Sequence, residues 1–269
     1  MLKEKAKEIR ISTINEIAHL GKGHIGGAMS IVDVLVYLYY HEMNIDPSNP
    51  KMEGRDRFVC SKGHAGPSVY ATLADKGYFP KDWLLTLNKG GTNLPSHCDM
   101  TKTPGVDFTT GSLGQGASAA AGIALGQKIK GEKSFTYLII GDGESQEGQI
   151  WEMAEFASTQ NLGNLIAFTD FNKQQLDGYT KDVINMDNID TRWLGFNWHV
   201  QRINGHDLNA IDDAVQAAKK VTDRPSMIIM DTVKSWGYAP GVGIVSNHSM
   251  AVSEADAKSA IEALEGGAK

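Results

Sequence analysis

The chain has 269 residues, a formal net charge of −6, and a composition of 41% hydrophobic and 22% charged residues. This length suits one large domain, and the acidic balance argues against the basic surface that nucleic-acid binding needs. The N-terminal stretch MLKEKAKEIRIST lacks an apolar signal sequence, and no apolar run is long enough to span a membrane. With two cysteines outside any CxxC motif, these features predict a cytoplasmic protein that binds neither nucleic acid nor membrane.

The first half of the chain predicts helices separated by glycine-rich segments that contain histidines. Residues 2–20 have apolar side chains at helical spacing, and GKGHIGGAMS follows, with His24. Ser30 is predicted to cap a second helix, IVDVLVYLYYHEM. A short strand in RFVCSKGHAG leads to His64, and a passage rich in Gly, Pro and Thr runs from residue 89 to 116. Connections of that length inside compact domains are often functional.

The second half predicts strands that alternate with helices. SFTYLIIG, NLIAFTDF, WHVQRING and SMIIMDTV are the predicted strands, and Asp207 is predicted to cap the helix LNAIDDAVQAAKKV. This order predicts a single doubly wound α/β domain, in which a mostly parallel sheet has helices on both faces. The domain is expected to cover residues 1–269, ending in a helix and a short polar tail from about residue 255.

Two polar side chains follow successive strands of this predicted sheet. Asp142 follows YLIIG, and Asn172 follows NLIAFTDF 30 residues later, which is the length of one strand–helix–strand unit. Ligands bind beyond the carboxyl ends of such strands, and these oxygen donors suit Mg²⁺ or Ca²⁺. Gly141 and Gly143 let an anion approach the backbone, near the N-terminus of the following helix. The pattern predicts a metal-bridged diphosphate, although Gly-Asp-Gly alone is also a common turn.

Several motifs resemble, in the same order, the N-terminal half of transketolase, a thiamine diphosphate enzyme. They are GKGHIGG, DRFVCSKGHAG, LPSHCDMTKTPGVDFTTGSLGQG, GDGESQEGQIWE and DFNKQQLDG. Gly-Asp-Gly followed about 30 residues later by Asn also resembles the diphosphate motif of thiamine diphosphate enzymes. The resemblance covers about residues 5–250, and SNHSM occupies the place of the family's last active-site histidine.

The resemblance implies thiamine diphosphate as cofactor, with Mg²⁺ or, in its place, Ca²⁺ or Mn²⁺. The residues implied to hold the metal are Asp142, Asn172 and, through its backbone carbonyl, Gln174. The residues implied to contact the cofactor are His64, Gly111, Leu113, Gly141, Asp142, Gly143, Asn172 and His248. Imidazole has a pKa suited to proton transfer near neutral pH. The implied catalytic residues are His24, His97, His248 and Glu147, the last of these in a carboxylate network at the subunit interface.

The resemblance also implies a partner, because a full-length transketolase is more than twice as long as this chain. We therefore expect the N-terminal subunit of a split transketolase, active only with a C-terminal subunit that carries the pyrimidine-binding and C-terminal domains. An α2β2 assembly is expected because active sites of the family lie between subunits. The implied reaction is reversible transfer of a two-carbon ketol unit from a ketose phosphate donor to an aldose acceptor.

Three alternatives remain open at this point. The chain could belong to a decarboxylating thiamine diphosphate enzyme, such as a 2-oxo acid dehydrogenase α subunit or a relative of deoxyxylulose phosphate synthase. It could act on a specialised sugar, such as a sulfonated ketose, or be a non-catalytic module that keeps the fold. The histidines interpreted as ordinary surface or core residues are His19, His41, His199 and His206. The lysines interpreted as solvated surface are Lys22, Lys62 and Lys173, and Lys234 is left open between surface and anion contact.

Overall fold

The computed structural model describes residues 1–267 of the chain. The α-helices are α1 Leu2–Leu20, α2 Ile25–Met29, α3 Val32–Tyr37, α4 Gly66–Lys76, α5 Gln115–Ile129, α6 Gly148–Thr159, α7 Thr180–Val183, α8 Ile189–Gly195, α9 Leu208–Ala218 and α10 Glu254–Glu265. The strands are β1 Lys22–Gly23, β2 Arg57–Cys60, β3 Thr136–Gly141, β4 Leu165–Phe171, β5 Gln174–Gln175, β6 Gly178–Tyr179, β7 His199–Asn204, β8 Ser226–Asp231 and β9 Met250–Ala251. A π-helical turn, Leu38–Glu42, continues α3, and short 3-10 segments are Gly63–Ala65, Lys81–Thr86, Glu144–Gln146, Ala239–Gly241 and Val245–His248.

The central sheet has five strands in the order β2-β3-β4-β8-β7, and every neighbouring pair is parallel. Parallel neighbours need crossover connections, which are usually helices. The strand order departs from the chain order at β4-β8-β7. Helices α1, α3, α4 and α9 lie with one hydrophobic cluster, and α5, α6 and α8 lie with the other. The predicted doubly wound α/β fold is therefore confirmed.

Strand β3 shows why its sequence is apolar throughout. Tyr137 and Ile139 belong to the cluster on one face of the sheet, and Leu138 and Ile140 belong to the cluster on the other. Side chains alternate across a strand, so a strand covered on both faces has no polar side. Full burial of each aliphatic side chain contributes about 1.5–3 kcal/mol, which fixes this strand and the loop that follows it at the centre of the sheet.

Two helix starts test the capping predictions. Asp207 accepts a hydrogen bond from the backbone N–H of Asn209 at 3.0 Å, so its predicted role as the cap of α9 is confirmed. The predicted Ser30 cap is wrong, because Ile31 occupies the N-cap position of α3 and Ser30 ends α2. The Ser30 hydroxyl instead donates to the buried carboxylate of Asp170 at 2.7 Å. The hydroxyl of Ser30 therefore bonds to a carboxylate from a distant segment and not to the start of the following helix.

The C-terminal segment is mainly helical. The polar tail expected from about residue 255 is occupied by α10, whose Ala257 and Ala260 are buried and which packs against α1. The rest of that predicted tail includes residues 268 and 269, which lie outside the described residues. Across residues 1–267, none of the helices has the length and apolar character needed to cross a membrane.

Candidate active site

Asp142 and Asn172 lie side by side at the carboxyl edge of the sheet, because β3 and β4 are in register and Gly141 pairs with Asp170. The Asp142 carboxylate accepts backbone N–H bonds from Gly143 at 2.7 Å and from Lys173 at 2.5 Å. Both side chains line a cavity of about 450 Å³. The sheet thus brings together the two oxygen donors that were 30 residues apart in the sequence.

Asn172 is held by hydrogen bonds at both ends of its amide. Its Nδ2 donates to Asp170 at 2.8 Å, and its Oδ1 accepts from the backbone N–H of Gln174 at 3.0 Å. Asp170 therefore determines which end of the amide is the nitrogen and which is the oxygen. Such outer hydrogen bonds orient metal ligands in proteins.

The charge of Asp142 is poorly compensated by the chain itself. Burial and the negative charge of Asp170 raise the pKa of Asp142 to about 7, although hydrogen bonds from Gly143 and Lys173 oppose the shift. A cation at Asp142 would remove this repulsion, so the donor set fits a divalent metal. Among residues 1–267, no group of three or more His, Cys, Asp or Glu side chains is arranged to hold a metal. A metal here would need the amide of Asn172 and a backbone carbonyl besides Asp142.

Two glycines at or beside the site, Gly143 and Gly63, leave no space for a side chain. A Cβ atom on Gly143 would lie 2.8 Å from the Cβ of Gln175, and one on Gly63 would lie 2.7 Å from the backbone of Thr110. Real Cβ atoms do not approach so closely, so both positions require glycine for packing reasons.

Four histidine rings form one cluster in the cavity. The ring of His24 lies 5.6 Å from that of His64, 5.6 Å from that of His97 and 5.4 Å from that of His248. The rings of His64 and His248 are 4.5 Å apart. Segments that are far apart in the chain thus present imidazoles to one space beside Asp142.

The cluster keeps its imidazoles neutral. Burial lowers the pKa of His24, helped by His97, and burial alone lowers the pKa of His97. Burial and then the nearby Lys62 place the pKa of His64 well below its usual value. For His248, burial and Lys234 lower the pKa to about 4. Neutral imidazoles near neutral pH can accept protons from a bound molecule.

Two lysines reach this cavity, and one of them corrects a prediction. Lys62, predicted to be solvated, is buried and donates to Asp170 at 2.7 Å and to the carbonyl of Gly27 at 2.8 Å. Lys234 is also buried, and its ammonium has no hydrogen-bond partner in the part of the chain that the structure describes. Burial and Lys62 lower the pKa of Lys234 to about 8. A buried ammonium without a partner fits a site for an anion.

Glu144 is a structural residue of the site that was not predicted from the sequence. Its buried carboxylate accepts hydrogen bonds from the hydroxyl of Ser61 at 2.5 Å and from the backbone N–H groups of Gly114 and Gly141 at 2.9 and 3.0 Å. These donors lie after β2, before α5 and at the end of β3, so one side chain holds three segments together. Asp170 was also missed, although a carboxylate inside the apolar strand NLIAFTDF signals a buried partner.

All twelve residues singled out from the sequence line the same cavity. They are His24, His64, His97, Gly111, Leu113, Gly141, Asp142, Gly143, Glu147, Asn172, Gln174 and His248. Within the set, a Cβ atom on Gly111 would lie 3.4 Å from the ring of His97, and Glu147 is exposed at the rim. The residues predicted from the sequence motifs therefore lie together in one cavity, and the separate role of each residue stays a prediction.

Comparisons with known proteins agree with this geometry. Residues 1–266 match the family model described as "Transketolase, thiamine diphosphate binding domain". The chain belongs to the transketolase family. It is 51% identical over 264 residues to the "6-deoxy-6-sulfo-D-fructose transketolase subunit SqwG" of Clostridium sp. (strain MSTE9), covering 98% of this chain and 96% of that one. It is 38% identical over 240 residues to one of the subunits of the apulose-4-phosphate transketolase of Actinobacillus succinogenes, covering 88% and 86% of the two chains.

Solved transketolases have the same fold over this length. A crystal structure of a transketolase from Pichia stipitis superposes with a TM-score of 0.92 at 31% identity, covering 99% of this chain and 41% of that one. Transketolase from Leishmania mexicana gives a TM-score of 0.93 at 27% identity, covering 98% and 41%. The chain thus spans about 40% of the length of these transketolases, whereas it matches the transketolase subunits almost end to end.

These similarities confirm the predicted family and reaction class. The chain is the N-terminal, thiamine diphosphate-binding subunit of a transketolase, and the decarboxylating alternative is not favoured. The family description names thiamine diphosphate, and the names of the relatives, which are those of transketolase subunits, imply a partner chain.

Proposed function

We propose that this transketolase subunit binds thiamine diphosphate with a divalent cation and, with a partner subunit, transfers a two-carbon ketol unit from a ketose to an aldose. The observation that carries the proposal is the cavity in which four imidazoles face Asp142 and Asn172. Thiamine diphosphate supplies the electron sink for the carbanion that C–C cleavage leaves. The chain's own residues hold the anion, orient the substrate and move protons.

We assign the diphosphate end of thiamine diphosphate to the carboxyl ends of strands β3 and β4. Asp142, Asn172 and the backbone carbonyl of Gln174 would hold Mg²⁺, with Ca²⁺ or Mn²⁺ as substitutes. The raised pKa of Asp142 supports a cation at this point, and the buried ammonium of Lys234 supports an anion beside it. Gly143 would let the diphosphate approach the backbone, because glycine carries no side chain.

We assign the reacting end of the cofactor, with the substrate, to the histidine cluster. His24, His97 and His248 would hydrogen-bond substrate hydroxyls, accept a proton from one and return it when the C–C bond forms again. Their lowered pKa values support this role, since a neutral imidazole is needed to accept the proton. His64, which lies closer to Lys62, would bind diphosphate oxygens. Gly111 and Leu113, which also line the cavity, would contact the cofactor.

A partner subunit is assigned to the apolar rim of the cavity. Leu176 and Val183 are exposed apolar side chains that line the cavity. Further exposed apolar side chains on the same segment and on a segment that contacts it are Tyr179, Ile184, Val242, Ile244 and Val245. Exposed apolar patches of this kind mark interaction surfaces. The proposed occupant is the subunit with the pyrimidine-binding and C-terminal domains, in an α2β2 assembly. Glu147, exposed at the same rim, would meet carboxylates of the interface.

The proposed donor is a ketose with a sulfonate group at C6. Support comes from the higher identity to the sulfofructose transketolase subunit, 51%, than to the apulose-4-phosphate transketolase subunit, 38%. The cavity residues of this chain account for the cofactor and the reacting carbons, so the distal anion would be bound by the partner. We further propose that residues 1–269 form one diphosphate-binding domain. We also propose that the protein acts in the cytoplasm, where its two buried free cysteines would stay reduced.

The test is co-expression with the candidate partner subunit, followed by assays with thiamine diphosphate and Mg²⁺. Two-carbon transfer is expected, with kcat/KM for 6-deoxy-6-sulfofructose at least about 10-fold above that for fructose 6-phosphate, which is worth about 1.4 kcal/mol. Preference for the phosphorylated donor would refute the proposed substrate. Release of CO₂ from a 2-oxo acid without ketol transfer would refute the proposed reaction.

A further inference from the structure

We propose that His206 is a positioning residue for the Lys234 loop, which comprises residues 233–237. The inference deepens the proposed function and rests on the part of it that assigns Lys234 to the bound anion. The sequence pattern indicated no functional role for His206 and placed it in a turn before α9. Its contacts instead connect that turn to the loop that carries a cavity lysine.

The ring of His206 makes two hydrogen bonds, one as donor and one as acceptor. Its Nδ1 lies 2.8 Å from Oδ2 of Asp33, and its Nε2 accepts the backbone N–H of Val233 at 2.9 Å. Because Nε2 accepts, the proton of the neutral ring is on Nδ1, which donates to the carboxylate. One side chain therefore joins a buried carboxylate to the first residue of the Lys234 loop.

The carboxylate that holds His206 is itself fixed. Asp33 is buried and accepts a hydrogen bond from Nη2 of Arg10 at 2.5 Å. Arg10 also donates from Nε to the carbonyl of Trp236 at 3.3 Å. The indole of Trp236 stacks on the His206 ring with a centroid distance of 4.5 Å and an angle of 18°. Arg10 and His206, which Asp33 joins, thus contact the loop on either side of Lys234.

The path of the loop is tightly constrained. Ser235 has a φ of 66°, which is uncommon for a residue with a side chain, and its N–H donates to the carbonyl of Gly26 at 3.0 Å. Gly237 has a φ of 86°, and a Cβ atom there would lie 2.7 Å from Cδ of Arg10. These constraints leave the loop one position, which sends Lys234 into the cavity beside Asp142 and His248.

Lys234 needs such a restraint because its position is unfavourable without an anion. Its ammonium is buried, has no hydrogen-bond partner within the described ranges, and lies near the positive charge of Lys62. A freely moving loop would let the ammonium turn to solvent, where its charge is hydrated. Holding the loop in place prepares the anion site before the ligand arrives, which improves affinity.

The experiment compares two substitutions of His206 that each keep one of the two hydrogen-bonding groups of the imidazole. His206→Gln keeps an acceptor near the Nε2 position, and His206→Asn keeps a donor near the Nδ1 position. Both remove the stacking on Trp236, so their difference compares loss of the bond to Val233, in His206→Asn, with loss of the bond to Asp33, in His206→Gln. Affinity for thiamine diphosphate with Mg²⁺ is measured by calorimetry on the co-expressed complex, in the wild-type and Lys234→Ala backgrounds, together with the melting temperature without ligand.

We expect Lys234→Ala to weaken binding about 30-fold and His206→Asn about 10-fold, with His206→Gln within about 3-fold of wild type. In the Lys234→Ala background, His206→Asn should cause little further loss, because general destabilisation would act in both backgrounds. Unchanged affinity of His206→Asn, or equal losses in both backgrounds, would overturn the inference and leave the proposed function standing.

Two further outcomes are decisive. No effect of Lys234→Ala would overturn the anion contact proposed for Lys234 and the inference with it. If His206→Asn does not accumulate as folded protein, Gly237→Ala displaces the same loop from the side of Arg10. That variant should also weaken binding in the wild-type background only, and equal weakening in both backgrounds would refute the positioning role.

Discussion

Oδ2 of Asp170 accepts a hydrogen bond from Nδ2 of Asn172 at 2.8 Å, and the same oxygen accepts from Nζ of Lys62 at 2.7 Å. Burial opposes ionisation of Asp170, but Lys62 and the hydroxyls of Thr232 and Ser30 outweigh it and hold the pKa of Asp170 below its usual value. A fixed negative charge within the sheet thus orients one metal-ligand candidate and neutralises one buried lysine.

The first prediction concerns Asp170. Asp170→Asn should lower metal-dependent affinity for thiamine diphosphate about 10–100-fold, since outer partners of metal ligands have effects of that size. The same change leaves Lys62 charged and buried without its partner, which should cost about 3–5 kcal/mol of stability. Calorimetry and denaturant unfolding measure the two effects. Asp213→Asn, at an exposed position, is the matched control and should change neither.

The second prediction concerns Asp142. Asp142→Ala in the complex should abolish cofactor-dependent activity, because it removes the only carboxylate assigned to the metal. The apo chain should remain folded, since the change also relieves repulsion from Asp170. Activity is measured across a Mg²⁺ titration, alongside far-ultraviolet circular dichroism. Activity that survives at low Mg²⁺ would support the non-catalytic alternative, in which the fold is kept and the chemistry lies elsewhere.

The third prediction concerns a buried carboxyl group in α1. Glu16 is buried, and neither of its oxygens has a hydrogen-bond partner in the described part of the chain. Burial raises the pKa of Glu16 well above its usual value. The folded state therefore favours the protonated form, so the stability penalty from Glu16 is absent below the unfolded-state pKa. It grows as the pH rises towards the folded-state pKa.

Glu16→Gln should consequently raise the melting temperature more at pH 8 than at pH 5. About 1 kcal/mol moves the melting temperature of a chain of this size by about 2–4 °C, so scanning calorimetry can detect the difference. Glu8→Gln, in the same helix but exposed, is the control for charge removal. A shift of equal size at both pH values would contradict the account of Glu16.

The fourth prediction separates binding from catalysis at His248. His248→Gln should lower kcat about 10²–10⁴-fold, the usual contribution of a general acid–base group, because Gln cannot carry the proton. Affinity for thiamine diphosphate should stay within a few-fold, since Lys234 and Asp142 remain. Steady-state kinetics and calorimetry distinguish the two effects, with His41→Gln as a surface control. Loss of affinity with kcat unchanged would assign His248 to binding alone.

The fifth prediction concerns the apolar rim. Leu176 is exposed and lines the cavity, so Leu176→Asp should prevent association with the partner subunit, because a charge would be buried in the contact. Leu194→Asp is the matched control, since Leu194 is also an exposed apolar residue but does not line the cavity. Co-purification and analytical ultracentrifugation measure association. If the complex forms equally well with both variants, the partner contacts a different surface.

Local sequence patterns were sufficient to predict the fold and to bring Asp142 and Asn172 together. Continuous apolar strands such as β3 predicted the parallel sheet, and parallel strands necessarily bring Asp142 and Asn172 to one edge. The histidines on glycine-rich turns could be collected only through the ordered motifs. The ring of His24 lies within 5.6 Å of the other three rings although their segments are distant in the chain. Periodicity alone carries no information on such proximity.

The roles that could not be predicted from the sequence depend on contacts between distant segments. Ser30 has the side chain of a helix cap, yet its hydroxyl bonds to Asp170 across the sheet. Lys62 looks like a solvated lysine beside glycines, yet the same carboxylate draws it into the interior. Glu144 looks like the start of a helix, but donors from three segments of the chain bond to it. In each case a tertiary partner outweighed the local preference, and the sequence does not state the partner.

The central claim is that this chain contributes half of an active site that transfers ketol units. It is tested most directly by titrating the partner subunit into a fixed amount of this chain, with saturating thiamine diphosphate and Mg²⁺, and measuring the rate of two-carbon transfer. We predict negligible transfer by each chain alone and a rate that saturates at equimolar subunits. Transfer by this chain alone at the rate of the mixture would contradict the claim, as would an inactive mixture that binds the cofactor fully.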